Sequence, residues 1–386
     1  MLHDSQWDDE FPQDPDICYL NHAAVAPWPK RAADAVIAFA QENIHQGARD
    51  YPRWVQMEHK LRGQFQKLLN APSKQDIALV KNTSEALSFV AMGLNWIQGD
   101  EVLLSDQEFP SNSIPWQALE NQGVSVRQVS LDTEDPEAAL IAAMGPATRL
   151  LSISSVQYAS GLRMDLERLG RACRERNVLF CVDAIQSIGA LPLDVQSIDC
   201  DFAMGDGHKW LLGPEGLGVF YCRKEVRDQL KLTQYGWHMV EAIGDYDREE
   251  WVPARSARRF EPGSPNTLAQ HALSASLEVL LEVGSERIQE ALQQRTAYLW
   301  QSIAALPGAR ILSPTAPDRR AGIVTFTING VDNAILHKQL MDAGVICAAR
   351  GGGIRWSPHF YTPQTILDNA LRILRDLLQI NYNRSR

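Results

Sequence analysis

Apolar and polar positions in this chain switch repeatedly between two periods. Short apolar runs read as buried strands, and stretches with apolar residues three and four apart read as helices. Ile17 to Leu20 predicts a short strand entering the small-residue turn Asn21-His22-Ala23-Ala24. Pro27 and Pro29 precede a helix over about 31–43, and a second helix over about 54–69 stops at Asn70-Ala71-Pro72. Strand and helix then alternate, with strands at 77–80, 101–105, 123–129 and 150–154 and helices at 86–96 and 165–176. Three more apolar runs follow, at 178–182, up to Gly205, and at 216–222. Such alternation predicts an α/β domain with a largely parallel sheet. The ligand of such a domain lies at the carboxyl ends of the strands.

Beyond Pro262-Gly263-Ser264-Pro265-Asn266 the texture changes. A long helical region, 267–306, breaks near Gly284, and the chain then reads strand 323–328, helix 334–343, strands 345–348 and 353–356, and helix 363–380. The expected division is a large domain over 21–283 and a smaller C-terminal α/β domain over 284–386, joined by the N-terminal segment 1–20. No internal repeat or low-complexity tract is present.

Composition narrows the function. A formal net charge of −10 and the lack of any Lys/Arg run exclude a nucleic-acid surface. No apolar run approaches the roughly 20 residues that span a bilayer. The acidic start MLHDSQWDDEFPQDPD is unlike a signal peptide, so a cytoplasmic protein is expected. The six cysteines, at 18, 173, 181, 200, 222 and 347, form no C-x-x-C pair, which predicts neither a metal site nor a disulfide framework. Cys181 and Cys222 sit inside strand runs, as small buried hydrophobes do.

Four features carry chemistry. Lys209 follows Gly205-Asp206-Gly207-His208 on a turn between apolar strands. An amine held among apolar groups has a lowered pKa, which suits attack on an aldehyde and later proton transfer. Asp183 closes an adjacent apolar run, where a carboxylate keeps a pyridine nitrogen protonated, and Gln186 could bond a phenolic oxygen. Thr83 and Ser84 lie between a strand and a helix, a place that suits either a phosphate or a helix cap. Phe109 follows a strand end and could stack on a ring face. Together they point to pyridoxal phosphate (PLP). His208 reads as packing or phosphate contact, or as a second proton donor.

The motifs VDAIQ…GDGHKW, KNTSEAL and RRFEPGSPNT resemble those of the class V aminotransferase branch of fold-type I PLP enzymes, which includes cysteine desulfurases, selenocysteine lyases, isopenicillin N epimerase and kynureninase. The likeness runs from YLNHAA near residue 19 to the last helix. It implies the fold-type I architecture, with a mainly parallel seven-stranded sheet in the large domain. It also implies that Lys209 forms the Schiff base, that Asp183, Gln186, His208, Thr83, Ser84 and Phe109 hold the cofactor, and that Arg355 binds the substrate carboxylate through its guanidinium fork. Ser264 would reach the phosphate from a neighbouring subunit, which implies a homodimer with shared active sites. Asn21, His22 and Arg49 match loops edging the substrate pocket.

The departures matter. Phe109 stands where desulfurases place a histidine, Ser155 where an asparagine is common, and Asp206 where a serine or asparagine serves the phosphate. VICAARGGGIRWSPHFYT has no cysteine in its Gly351-Gly352-Gly353 turn, and Cys347 lies before it in an apolar run. The expected function is therefore a lyase of the desulfurase or selenocysteine lyase type that needs no loop cysteine, acting on an α-amino acid. Epimerase and aminotransferase are the alternatives. A non-catalytic PLP-fold protein would have lost Lys209 or Asp183, and no G-x-G-x-x-G supports a nucleotide site.

Overall fold

The computed structural model describes residues 7–384 of the 386. The chain opens with β1 (Cys18–Tyr19), α1 (Lys30–Gln46) and α2 (Tyr51–Leu68), followed by β2 (Ile77–Val80), α3 (Thr83–Gly93) and β3 (Glu101–Ser105). A one-turn α4 (Ile114–Gln117) leads to β4 (Ser125–Val129), α5 (Pro136–Ala143), β5 (Thr148–Ser154) and α6 (Leu166–Arg176). Then come β6 (Leu179–Asp183), β7 (Phe202–Asp206), β8 (Gly218–Cys222) and the short α7 (Lys224–Arg227). After α8 (Thr267–Val283) and α9 (Ser285–Ala304) follow β9 (Ala309–Ile311), β10 (Val324–Ile328), α10 (Asn333–Asp342) and β11 (Val345–Ile346). Finally come β12 (Ala348–Arg350), β13 (Gly353–Trp356) and α11 (Gln364–Arg384).

The main sheet has seven strands in the order β2-β8-β7-β6-β5-β3-β4, and only β8 runs against its neighbours. Its apolar runs are continuous because both faces are buried. Leu103, Leu151, Ile153, Phe180 and Val182 face one core, while Val102, Leu104, Leu150, Cys181 and Phe202 face the other. That is the two-residue period of a strand, with an apolar layer on each side. Since β2 and β8 are both reversed relative to each other and β8 to β7, the carboxyl ends of β2, β3, β5, β6 and β7 share one edge.

A four-stranded antiparallel sheet, β12-β13-β10-β9, packs with α10, α11 and part of α9 around a third core containing Phe326, Trp356 and Leu371. Cys18 and Leu20 join that core, because β1 pairs in parallel with β11 through Cys18–Val345 and Tyr19–Ile346. The start of the chain is thus bonded to its last third.

Two local expectations change. The helix expected over 86–96 starts at Thr83 and ends at Gly93, because Asn82 caps it by accepting the Glu85 N–H at 2.9 Å. Trp96 lies beyond it and donates its indole N–H to Ala91 O at 2.6 Å. The strand expected over 345–348 splits at Cys347, whose N–H turns to Met341 Sδ at 3.3 Å, so β11 and β12 belong to different sheets. Neither α5 nor β9 was signalled by a strong period. Among the described residues, no helix is long and apolar enough to cross a membrane.

Candidate active site

The shared carboxyl edge of the sheet opens into a cavity of about 420 Å³. The strand ends and the turns that follow them line it, with Tyr158 coming from the turn after β5. β2 delivers Asn82, Thr83 and Ser84; β3 delivers Phe109 and Ser111; β6 delivers Asp183 and Gln186; β7 delivers Asp206, His208 and Lys209. Arg350 and Arg355 reach the cavity from β12 and β13, and Ala23, Ala24 and Val25 close one side.

The turn carrying Lys209 is tightly specified. Gly207 cannot carry a Cβ, which would sit 2.7 Å from Leu217 O. Leu212 is fully buried at φ +59°, a conformation costly for a branched side chain, and its N–H donates to Lys209 O at 2.9 Å. Burial lowers the Lys209 ammonium to about 8; Asp183 and Asp206 oppose that shift, while Arg355 and Arg350 add to it. Its Nζ lies 5.7 Å from the centre of the Phe109 ring.

Asp183 pairs in register with Met204 at the end of β6 and is 2% exposed. Burial pushes its carboxyl up to about 7; the Ile185 N–H, donated at 3.0 Å, works against this, Glu108 adds to it and Lys209 opposes it. Gln186 accepts the Trp210 indole N–H at 2.8 Å and donates to Ala23 O at 3.0 Å, which leaves one amide N–H uncommitted. His208 Nδ1 lies 3.2 Å from Asp206 Oδ1, but the alignment makes no hydrogen bond, and that oxygen instead accepts the Gly207 N–H at 2.8 Å.

Arg355 is 2% exposed and has no carboxylate partner among the described residues. Its Nη1 donates to Tyr158 O at 2.7 Å, and its Nε is buried with no acceptor. Burial, helped by Arg350, lowers its guanidinium to about 10. Thr83 Oγ1, in the first turn of α3, is likewise buried without a partner. A helix N-terminus with an unpartnered hydroxyl and an unpaired buried cation mark two ends of the cavity that suit anions.

Thus Lys209, Asp183, His208, Thr83, Ser84, Phe109, Gln186 and Arg355 come together. Asn21, His22, Arg49 and Ser264 do not line the cavity of a single chain. His22 is fully buried, with its ring nitrogens 2.9 Å from Ser357 O and 2.7 Å from Tyr361 Oη, and burial lowers it to about 4. It braces the loop whose next three residues form the wall. Asn21 makes a backbone bridge to Ser357, and Arg49 and Ser264 are exposed on loops elsewhere. Ser155 lies behind the wall, bonded to Asp183 O at 3.2 Å and Ser187 Oγ at 2.8 Å. Sequence reasoning missed Arg350, Tyr158 and Ser111. Only the closeness of Arg350 to Arg355 in RGGGIRW signalled any of them.

A family model described as aminotransferase class-V matches residues 18–362. A probable cysteine desulfurase of Methanothermobacter thermautotrophicus is 32% identical over 343 residues, which is 87% of this chain and 84% of the relative. The solved complex of the cystine C–S lyase C-DES with its reaction product cysteine persulfide matches with a TM-score of 0.88 at 26% identity, over 95% of this chain and 99% of that one. A lysine-to-alanine mutant of C-DES, with glycine covalently linked to its PLP cofactor, matches with a TM-score of 0.89 at 26% identity, over 96% and 99% of the two chains.

Proposed function

The chain belongs to the aminotransferase class-V family and is a PLP-dependent enzyme, and on that premise we propose that it cleaves the carbon–sulfur bond of a cysteine- or cystine-like amino acid by elimination, using no cysteine of its own. PLP supplies an electron sink for the bond changes at Cα, and the cavity residues fit it. The first turn of α3, with the unpartnered Thr83 hydroxyl and with Ser84, would take the phosphate. Asp183 would hold the proton on the ring nitrogen, where the opposite charge offsets the cost of ionising a buried carboxylate. Phe109 would cover one ring face, and the free amide N–H of Gln186 would serve the ring oxygen.

Arg355 would grip the substrate carboxylate, with its orphaned Nε as one arm of the fork. Lys209, whose amine is already neutral for part of the population near pH 8, moves the proton at Cα. The observation that carries the reading is Arg355 itself: a buried cation with no anion partner, set in the same cavity as Lys209 where no thiol lines the wall. All six cysteines are buried, and burial pushes the Cys347 thiol up to about 12, far from a nucleophilic thiolate.

The deciding experiment incubates the purified enzyme with L-cystine or L-cysteine in deuterated water. Pyruvate and ammonia, with cysteine persulfide from L-cystine or sulfide from L-cysteine, are expected from the parent and not from Lys209→Ala. Deuterated amino acid of inverted configuration at Cα, without pyruvate, would make the enzyme an epimerase, and amino transfer to an added 2-oxo acid would make it an aminotransferase; either outcome replaces the lyase reading. Ser264 is proposed to reach the phosphate of a second copy, so that the working unit is a homodimer. A sedimenting monomer with full cofactor occupancy would end that part.

A further inference from the structure

We propose that Glu108 is a positioning residue for both halves of the site, holding the Phe109 ring at one end and the Tyr158 carbonyl under Arg355 at the other. The inference rests on the PLP reading above. Glu108 follows β3 and does not itself line the cavity. Its Oε1 accepts from Ser105 Oγ at 2.6 Å and Gln157 Nε2 at 3.1 Å, and its Oε2 from Asn112 Nδ2 at 2.7 Å and Ser154 Oγ at 2.5 Å. The Ser154 backbone N–H is shared between the two oxygens, at 3.2 and 3.1 Å. No cation pairs with this carboxylate among the described residues. An acceptor-only group is needed at such a convergence of donors, because an amide would present a donor on one side.

The two oxygens lead to different parts of the site. Through Asn112, whose N–H also donates to Phe109 O at 2.8 Å, Oε2 closes the short turn that aims the Phe109 ring into the cavity. Through Gln157, Oε1 fixes the residue before Tyr158. The carbonyl of Tyr158 accepts Arg355 Nη1 at 2.7 Å, and its ring meets Phe109 edge-on at 5.2 Å. Ser154 is the register partner of Asp183 on the neighbouring strand. One carboxylate therefore links the end of β3, the end of β5 and the loop that supports the carboxylate-binding arginine.

Two variants separate the arms. Glu108→Gln exchanges one acceptor for a donor; in full-length protein stripped of cofactor and titrated with PLP, its dissociation constant should rise about tenfold. Gln157→Leu cuts only the arm to Tyr158; KM for L-cystine should rise at least ~5-fold, with kcat and PLP affinity staying within about twofold of the parent. Should Glu108→Gln fail to fold, Gln157→Leu decides alone. Values for both variants within twofold of the parent overturn the proposal. So do losses that fall equally on kcat, KM and cofactor affinity and track a lowered thermal midpoint, since Glu108 would then be a general structural tie. If the parent does not turn over L-cystine, the lyase reading fails, while the PLP affinity of Glu108→Gln still decides this one.

Discussion

Asp183 and Lys209 are each displaced toward their neutral forms by burial, and each needs a partner to function. For Asp183 the consequence can be measured. A carboxyl whose folded pKa is raised from 3.8 to about 7 stabilises the fold below its unfolded value and loses that contribution as pH climbs through its folded value. In cofactor-free protein, Asp183→Asn should therefore gain stability relative to the parent as pH rises across that window, by on the order of 2–4 kcal/mol at the upper end. Urea midpoints of the two proteins, taken at several pH values, test this; a difference that stays constant with pH would show that Asp183 is not the titrating group. With PLP bound, the sign of the advantage should reverse, because the ring cation then favours the ionised carboxylate. Both residues were legible in the sequence, since Asp183 closes an apolar run and Lys209 lies on the turn just beyond another, as strands buried on both faces leave them. Glu108 and Tyr158 were not, because their partners Ser154, Gln157 and Arg355 are distant in sequence and meet them only through the order of the strands.

At the scale of elements, the strands were easier to read than the contacts between them. Continuous apolar runs marked β2, β3, β5, β6 and β8 almost to the residue, because a sheet buried on both faces leaves few polar interruptions. The split between β11 and β12 at Cys347 left no such mark, as one apolar run there feeds two sheets. Nor did the sequence disclose how α2 is tied down. Arg62 of α2 bonds Glu58 and Glu261, reaching Glu261 Oε2 at 2.8 Å through Nη2, and Glu261 Oε1 accepts the Leu79 N–H at 2.9 Å from β2. Burial alone would raise Glu58, yet His238 and Arg62 hold its carboxyl below the usual range. Glu58, His238 and Glu261 crowd together as metal ligands can, but the Arg62 guanidinium already supplies the positive charge there. Removing it strands two buried carboxylates, so Arg62→Ala should cost on the order of 3–5 kcal/mol in urea unfolding. A loss below about 1 kcal/mol would place the network in the class of exposed, solvent-screened pairs.

Across the whole molecule, the site is assembled from two sheets with different cores. Lys209, Asp183 and the α3 N-terminus stand on the seven-stranded sheet, whereas Arg355 stands on β13 of the four-stranded one and pairs in register with Thr325 of β10. The sheets are locked together near the cavity: Thr325 Oγ1 donates to Ala159 O at 2.6 Å, and a Cβ on Gly351 would lie 2.8 Å from Ala159 Cβ. This division would separate cofactor binding from substrate binding, because the residues that would hold the phosphate and ring share no element with the arginine that would hold the carboxylate. Arg355→Lys keeps the positive charge but loses the planar fork, and the shorter ammonium cannot both bond Tyr158 O and present two parallel donors. Its KM for the amino-acid substrate should rise about 10- to 100-fold, while PLP affinity and the visible absorption of the bound cofactor stay at parent values. Steady-state kinetics beside a PLP titration check this. If cofactor affinity fell together with substrate affinity, the two sheets would act as one binding unit and the assignment of Arg355 to the substrate would have to be given up.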